Sequence, residues 1–342
     1  MQLQPKPPKN QNSTFPRLLG DIGGTNARFA WQTQPNEAPA EIEVLPCSGF
    51  ASLQAAMQDY LSRRNGVPQW CGLGIAAPLL GDAVRMTNHH WTFSQRELRQ
   101  EFKLDRLLLV NDFTALALGV PALQPHERLP IGAGQPEPGP IAVLGPGTGL
   151  GVSGLLPVLQ GKLLRYLPLT GEGGHVTLAA SNPHEAEVIG WLWRQYPHVS
   201  AERLLSGPGL VLLYQAIAAV AGYDVPTVTT ARDVTEAARH QKNAASIETL
   251  QMFCALLGTV AADLVLTLGA RGGVFLGGGV TREIQDALPT SPFRERFETK
   301  GRRSDYLAFI PTWVIQAPFA ALSGVARALE LDPGWLSVSG AD

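Results

Sequence analysis

Two segments of the chain have the pattern of a strand, a tight glycine turn and a returning strand, and this repeat constrains the fold most. The first spans residues 18–31 and turns at Gly23 and Gly24, and the second spans residues 141–155. Apolar runs joined by glycines predict hairpins. Strand and helix patterns alternate along the rest of the chain, which predicts mostly buried, partly parallel sheets. We therefore expect an α/β protein of two successive domains, each opening with such a unit.

The composition limits the class of partner. The chain has 342 residues, 45% of them hydrophobic and 16% charged, which fits a globular protein with a sizeable core. Its formal net charge is −2, and it has no long basic run, so neither nucleic acid nor an anionic membrane is expected as a partner. The three cysteines, Cys47, Cys71 and Cys254, lack metal-ligand spacing and favour a reducing, cytoplasmic location without disulfides.

Two segments need separate interpretation. Residues 1–17 are polar and rich in Pro, Gln and Asn, so they predict a flexible tail rather than a secretory signal. Residues 252–270 are almost wholly apolar and long enough to span a membrane. Asp263 in the middle of that stretch would be costly in a bilayer, and a glycine-rich strand follows at once. We therefore predict a buried helix.

Three glycine turns follow predicted strands, at residues 21–25, 145–151 and 277–279. Glycine lets backbone N–H groups converge on an anion, and the hydroxyls of Thr25 and Thr148 add donors. Asp21 would repel phosphate unless a cation lay between them, so the pattern indicates Mg²⁺ and a polyphosphate. Any one of these turns alone would be an ordinary loop, but three glycine turns that each follow a predicted strand are much less expected by chance.

Two common nucleotide-binding motifs are excluded. No Gly-Lys-Ser/Thr sequence is present, so none of the turns is a Walker loop. Gly72, Gly74 and Ala77 fit the Rossmann pattern G-x-G-x-x-A, but Pro78 stands where the helix should begin.

Polar residues suited to catalysis and sugar binding follow other strands. Asn111 and Asp112 lie just past a strand end, where Asp112 either accepts a proton from a substrate hydroxyl or caps the next helix. Glu172, His175 and Glu202 suit a polyhydroxylated ligand.

Other interpretations of these residues stay open at this point. Glu-x-x-His also occurs in zinc sites, and His184 lies near, although no third ligand has fitting spacing. The pair His89-His90 beside Trp91 either stacks on a sugar or forms a surface turn with a packed tryptophan.

In order along the chain, the motifs resemble the bacterial glucokinases of the non-ROK type, within the actin–hexokinase–Hsp70 ATPase superfamily. The resemblance covers about residues 18–324 and lacks the cysteine-rich zinc motif of ROK sugar kinases. The matching segments are GDIGGTNAR, GIAAP, RMTNHHWTFS, NDFTALAL, GPGTGLGVS, GEGGHVTL, SAERLLSGPGL and GGVFLGGG.

The resemblance implies ATP-dependent phosphorylation of glucose at its 6-hydroxyl, giving glucose 6-phosphate and ADP. Asp112 is then the catalytic base, and Asp21 lies near Mg²⁺ and contacts it through water. The implied glucose ligands are Asn111, Asp112, Glu172, His175 and Glu202. The implied ATP-binding residues are Gly20, Asp21, Ile22, Gly23, Gly24, Thr25, Gly147, Thr148, Gly149, Gly277 and Gly278.

The resemblance also implies two RNase H-like domains flanking a cleft, and a homodimer. With the Pro/Gly-rich segment 127–140 as the boundary, the small domain is expected to comprise residues 18–126 plus 317–342, and the large domain residues 127–316. Because both domains supply predicted ligands, we expect glucose to draw them together.

Two alternatives remain at this stage. The first is a kinase for another hexose, such as mannose, fructose or an N-acetylated sugar. The second is a non-catalytic sugar sensor or transcriptional regulator on a kinase scaffold. The Pro-rich first seventeen residues leave no room for a helix-turn-helix at that end, and both Asp21 and Asp112 are present, which favours the enzyme.

Overall fold

The computed structural model describes residues 14–79, 81–87, 89–224 and 230–331. These form two compact units. The first contains the described residues up to Gly119 and those from Phe319 onward, and the second is Val120–Pro318. The second unit thus begins seven residues before residue 127, the expected start of the large domain. Most of the predicted tail, the Asn88 position of the RMTNHHWTFS motif and the last eleven residues lie outside the described residues.

The first unit is built on a five-stranded sheet with the spatial order β3-β2-β1-β4-β7. Its first three strands are antiparallel, whereas β4 and β7 run parallel to β1. A two-stranded ribbon, β5-β6, accompanies it. The strands are β1 (Arg17–Ile22), β2 (Asn26–Gln32), β3 (Ala40–Pro46), β4 (Trp70–Ile75), β5 (Ala83–Arg85), β6 (Thr92–Ser94) and β7 (Arg106–Asn111).

The part of the first unit that ends at Gly119 also contains three helices: α1 (Leu53–Ser62), α2 (Gln95–Glu101) and α3 (Asp112–Gly119). The hydroxyl of Ser52 caps α1, whose buried residues Met57 and Tyr60 join the core below the sheet. Ser94 caps α2 by accepting from the N–H of Glu97. The capping side chains explain why these helices begin where they do.

The second unit repeats the same arrangement with one strand added. Its sheet has the order β11-β10-β9-β12-β13-β8. Strands β9, β10 and β11 are antiparallel neighbours, β12 and β13 run parallel to β9, and β8 pairs antiparallel with β13. The strands are β8 (Arg128–Pro130), β9 (Ile141–Pro146), β10 (Leu150–Gln160), β11 (Leu163–Leu169), β12 (Val274–Leu276) and β13 (Thr312–Ile315).

Helices cover this second sheet and supply most of its core. They are α4 (Pro183–Leu192), α5 (Ala201–Leu204), α6 (Gly207–Ala221), α7 (Ala231–Arg239), α8 (Ala244–Leu268), α9 (Gly279–Ile284), α10 (Phe293–Glu298) and α11 (Ser304–Ala308). The long apolar helix α8 includes most of the apolar stretch predicted as a buried helix, and its bounds are set by an Asn243 cap and by Gly269 in the left-handed conformation. Short elements such as β8, α9 and α11 were not predicted, because they are too short to show a period.

Helix α8 is the apolar segment that raised the question of a membrane span. Among the described residues it is the one helix long and apolar enough to cross a membrane by length and composition, and 72% of that apolar window is buried within the protein. Asp263 lies on its exposed side and pairs with Lys300 at 2.5 Å. The helix therefore serves as the predicted core helix of the unit.

The last described helix, α12 (Ala320–Ala328), belongs to the first unit, where it packs against α3 and the sheet. Glycines make this contact close. A Cβ on Gly72 would lie 2.6 Å from Val325, and one on Gly324 would lie 1.7 Å from the carbonyl oxygen of Ala115. The glycines that mimic a Rossmann motif are therefore packing positions.

Both units share one topology. In each, three antiparallel strands joined by two hairpins come first in the chain. Two further strands, parallel to the first one, are then added on its other side. This order, 3-2-1-4-5 when each unit's strands are numbered from its first hairpin strand, is the predicted RNase H-like arrangement. The predicted α/β class with a repeated actin-type domain is confirmed.

Candidate active site

The first unit gathers its polar motif residues at one edge of its sheet. In the parallel pairing, Ile22 at the end of β1 lies beside Ile75, and Ile75 lies beside Asn111 at the end of β7. The glycine turn after β1 and the Asn111-Asp112 pair after β7 therefore share this edge. Carboxyl ends of parallel strands are where α/β proteins place ligands.

The turn after β1 is held by its neighbours. The N–H of Gly23 donates to the carbonyl of Asn26 at 3.0 Å, and the N–H of Cys47 donates to the carbonyl of Thr25 at 2.9 Å. The Cys47 thiol lies 3.5 Å from the carbonyl oxygen of Gly23. With the Gly23 amide engaged, Gly24 and the exposed Thr25 are the turn residues best placed to meet an anion.

Asp21 is paired with a cation from the adjoining strand. Arg28 stands opposite Asp21 in the antiparallel register, and its Nη1 lies 3.0 Å from Asp21 Oδ2. Both side chains are mostly buried, with 25% and 17% of their surface exposed. The guanidinium fixes the orientation of the carboxylate beside the glycine turn. Arg28 is in the recognised motif, yet its partnership with Asp21 only becomes visible with the register.

Asn111 and Asp112 share the capping of helix α3. Asn111 Oδ1 accepts from the N–H groups of Phe113 and Thr114, at 3.0 and 3.3 Å. Asp112 Oδ1 accepts from Phe113 at 3.0 Å. The capping role considered for Asp112 is thus carried largely by Asn111, and the carboxylate of Asp112 retains accepting capacity.

Asp112 has a strongly perturbed acidity. Its partly buried carboxyl group is desolvated, and the negative charge of Asp21 lies near, so its pKa rises from 3.8 to about 6. The backbone and Asn111 hydrogen bonds oppose this rise but do not cancel it. A carboxylate with a pKa close to neutral is suited to accept a proton at physiological pH.

The second unit places its two glycine turns at the same edge of its own sheet. Strands β9 and β12 are parallel neighbours, and Leu276 at the end of β12 lies beside Leu144, near the end of β9. The turn after β12 passes so close to β9 that a Cβ on Gly278 would lie 2.3 Å from the carbonyl oxygen of Pro146. Gly278 also has φ +86°, so only glycine fits.

A third glycine segment holds the turn after β9. The N–H of Gly207, at the start of α6, donates to the carbonyl of Gly147 at 2.7 Å. Gly147 in turn donates to the carbonyl of Gly149 at 2.7 Å. Gly207 lies in the quoted motif SAERLLSGPGL but was not predicted as a site residue. With the Gly147 amide engaged, those of Thr148 and Gly149 remain as the turn's candidates for a phosphate.

The predicted sugar ligands of the second unit lie together on two adjoining loops. His175 Nε2 is 4.0 Å from Glu172 Oε2, and His175 Nδ1 is 3.9 Å from Glu202 Oε1. Glu172 and His175 are largely exposed, whereas Glu202 is one-third exposed. The loops are joined by hydrogen bonds, including Ala201 N–H to the carbonyl of Val176 at 2.9 Å. The cluster therefore has a defined backbone and accessible polar groups.

Glycines again allow this cluster to sit against β10. A Cβ on Gly173 would lie 2.7 Å from Val152, and one on Gly174 would lie 2.2 Å from the carbonyl oxygen of Leu150. The Gly-Glu-Gly-Gly-His segment is therefore closely packed, with a short 3₁₀ turn over Gly173–His175.

Two other interpretations are resolved by the structure. Among the described residues, no group of three or more His, Cys, Asp or Glu side chains is placed to hold a metal ion, so the zinc alternative has no support. Trp91 is buried, and its Nε1 donates to the carbonyl of Phe50 at 3.1 Å, which is the packed tryptophan of the surface-turn interpretation. The three cysteines are free and buried, as expected.

Comparison with known proteins extends the motif resemblance to the whole fold. The glucokinase family model matches residues 18–331. The chain is 51% identical to the glucokinase of Aromatoleum aromaticum over 94% of this chain and 97% of that protein. It is 44% identical to the bifunctional protein glk of Burkholderia pseudomallei, of which it spans 49%. Among solved structures, the glucokinase of an Antarctic psychrotroph superposes with a TM-score of 0.83 at 37% identity, covering 92% of this chain and 98% of that one.

These matches cover both sheets and every motif described above. The predicted resemblance and the predicted class of enzyme are confirmed. The chain belongs to the glucokinase family of ATP-dependent hexose kinases.

Proposed function

We propose that this protein transfers the terminal phosphoryl group of ATP to the 6-hydroxyl of glucose, with Asp112 as the general base. The observation that carries the assignment is the position and acidity of Asp112, at the carboxyl end of β7 with a pKa of about 6. Membership of the glucokinase family supports glucose as the acceptor.

Phosphoryl transfer depends mainly on positioning and on electrostatic stabilisation, so the residues have separate tasks. Asp112 orients the acceptor hydroxyl and takes its proton late in the transfer. Asn111 uses its Oδ1 to cap α3, which leaves its NH₂ group to donate to the sugar. The backbone therefore fixes both side chains before substrate arrives.

We assign the phosphates of ATP to two glycine turns. The first follows β1 at Gly23, Gly24 and Thr25, with the predicted ligands Gly20 and Ile22 buried in the strand itself. Gly147, Thr148 and Gly149 form the second. Gly277 and Gly278 are assigned to binding of the adenosine of ATP. Because Gly278 has no Cβ, the turn after β12 can lie against the backbone of Pro146 at the end of β9. Backbone N–H groups without side-chain obstruction suit a polyphosphate.

Mg²⁺ fits the residues of the first unit as a companion of ATP. This ion keeps several waters, takes one or two carboxylates and uses phosphate oxygens, so it needs no dedicated protein cage. Asp21, oriented by Arg28, is the carboxylate beside the turn. When bound, Mg²⁺ would neutralise part of the negative charge of the phosphates.

Glucose recognition is assigned to Asn111, Asp112, Glu172, His175 and Glu202. Carboxylates accept hydrogen bonds from vicinal hydroxyls, and His175 stands between the two glutamates. Hydrogen bonds to charged groups contribute about 1.5–3 kcal/mol each, enough for this cluster to dominate sugar affinity.

We further propose that the protein is cytoplasmic and forms a homodimer. Three free, buried cysteines suit a reducing compartment. Exposed leucines on the β10–β11 hairpin, at Leu156, Leu159 and Leu164, offer an apolar surface. Sedimentation at micromolar concentration tests the dimer, and a monomeric boundary would contradict it.

The test of the reaction is an ADP-release assay with a panel of hexoses, in which the glucose product is identified as glucose 6-phosphate by its own dehydrogenase. Glucose should give the highest kcat/KM. A matched pair of variants tests the base: Asp112→Asn should lower kcat by about 10²–10⁴. Asp105→Asn, at an exposed position before β7, should leave it unchanged.

Better turnover of another hexose would instead favour the alternative acceptor. Absence of turnover with every sugar, despite measurable glucose binding, would favour the sensor.

A further inference from the structure

The second phosphate turn passes directly beneath the carboxylate of Glu202. A Cβ built on Gly149 would lie 2.4 Å from Glu202 Oε2 and 3.1 Å from Glu202 Cδ. Real Cβ atoms essentially never approach that closely, so any side chain at this position displaces the carboxylate. The space left by Gly149 is therefore occupied by the end of the Glu202 side chain.

The same carboxylate is held by the residue after the turn. The N–H of Leu150 donates to Glu202 Oε2 at 2.8 Å, within the range of a charge-assisted hydrogen bond. One oxygen is thus fixed by the backbone of the turn. The other oxygen, Oε1, lies on the side of His175 at 3.9 Å and is left for a ligand.

The backbone of Glu202 has little freedom to retreat. Ser200 caps α5 by accepting from the N–H of Arg203 at 3.2 Å. Ala201 donates to Val176 at 2.9 Å, and Gly209 of the following helix packs against the carbonyl of Leu204. A methyl group on residue 149 would therefore move the flexible end of Glu202 rather than its backbone.

We propose that Gly149 is a positioning residue for Glu202, because it leaves the space in which the Leu150 amide orients this carboxylate toward glucose. The inference rests on the proposed function, in which Glu202 binds the sugar. It gives the turn two tasks, one toward phosphate and one toward the sugar ligand. Gly149 does not have a positive φ, so alanine can adopt its backbone conformation, and only the contact with Glu202 changes.

The experiment compares Gly149→Ala with Gly147→Ala in the same turn. A Cβ on Gly147 would have its nearest neighbour, the N of Gly279, at 3.8 Å, which is an ordinary contact away from Glu202. Gly149→Ala should raise the glucose Kd, measured by calorimetry without nucleotide, by about 10–100-fold. Gly147→Ala should keep the wild-type glucose Kd, whatever it does to the KM for ATP.

A double-mutant cycle distinguishes positioning from general damage to the turn. If Gly149 acts through Glu202, the Gly149→Ala change should have no further effect on the KM for glucose in a Glu202→Ala background, where the carboxylate is absent. Any loss of Tm caused by Gly149→Ala should likewise disappear in that background.

Three results would overturn the proposal. They are a wild-type glucose Kd in Gly149→Ala, a loss confined to the KM for ATP, or additive effects of the two substitutions. If the wild-type protein does not bind glucose, the proposed function itself fails. The Tm cycle would then still report the Gly149–Glu202 contact.

Discussion

Replacing Asp112 with Asn should stabilise the protein while it removes activity. In the wild-type protein the N–H of Phe113 donates to Asp112 Oδ1 at 3.0 Å, and the side-chain oxygen of an asparagine can accept the same hydrogen bond. The substitution removes a negative charge that is desolvated and lies near Asp21. Catalytic residues are often held in such unfavourable environments, so the loss of function and the gain in stability have one cause.

The size of the gain follows from the pKa of Asp112. A rise from 3.8 to about 6 is about two pH units, and each unit corresponds to 1.36 kcal/mol. The penalty on the ionised group is therefore about 3 kcal/mol at most. The amide is still a polar group in a partly buried place, so we expect a net gain of about 1–3 kcal/mol. Such a gain raises Tm by roughly 3–10 °C for a unit of this size.

The pH dependence gives the gain a signature. A raised carboxyl pKa means that the folded protein binds this proton more tightly than the unfolded chain does. The wild-type protein therefore loses stability from this group as pH rises from about 4 to about 6, whereas the variant does not. The advantage of Asp112→Asn should be full at pH 8 and about half as large at pH 5.

Thermal unfolding of both proteins at pH 5 and pH 8 measures this difference, with Asp105→Asn as the control for the loss of an exposed aspartate. The control should match the wild-type Tm at both values. A variant no more stable than the wild type at pH 8, or equally stabilised at both pH values, would refute the reasoning about Asp112.

Three further outcomes are expected. The kcat/KM for glucose should fall as pH drops through about 6, because Asp112 acts as a base only when ionised; a flat profile down to pH 5 would contradict this. Glu172→Ala should weaken glucose binding by about 10–100-fold and leave ATP binding nearly unchanged in calorimetry, and normal glucose affinity would place the site elsewhere. Gly324→Ala should destabilise the first unit in thermal unfolding, since its Cβ would lie 1.7 Å from the carbonyl oxygen of Ala115. In contrast, Gly190→Ala, with open space on α4, should be neutral or stabilising; equal Tm values for the two would show that the α3–α12 contact can relax.

The fold was predictable because its signals are local and repeated. The two strand–turn–strand units and the apolar stretch of α8 are each set by residues that are neighbours in sequence. The pairing of distant strands was less predictable. Strand β8 pairs with β13, about 180 residues later in the chain, and such a distant pairing leaves no local pattern.

In the candidate site, too, some features were predictable from sequence and others were not. The motifs made Asp112 and Glu202 candidates, because the order and spacing of many motifs along the chain are specific to one family. They did not reveal that Asn111 does most of the capping, nor that Arg28 orients Asp21. Those relationships depend on register and on side-chain direction.

The sequence by itself determined the two-fold repeat of an α/β unit, the glycine turns and the family. Only the tertiary structure decided what each glycine does. The missing Cβ leaves space for helix α12 at Gly72, for the end of β9 at Gly278 and for the carboxylate of Glu202 at Gly149. A glycine in a sequence indicates that a side chain is absent. What fills the space is set by segments distant in the chain, because close packing brings them together only in the folded protein.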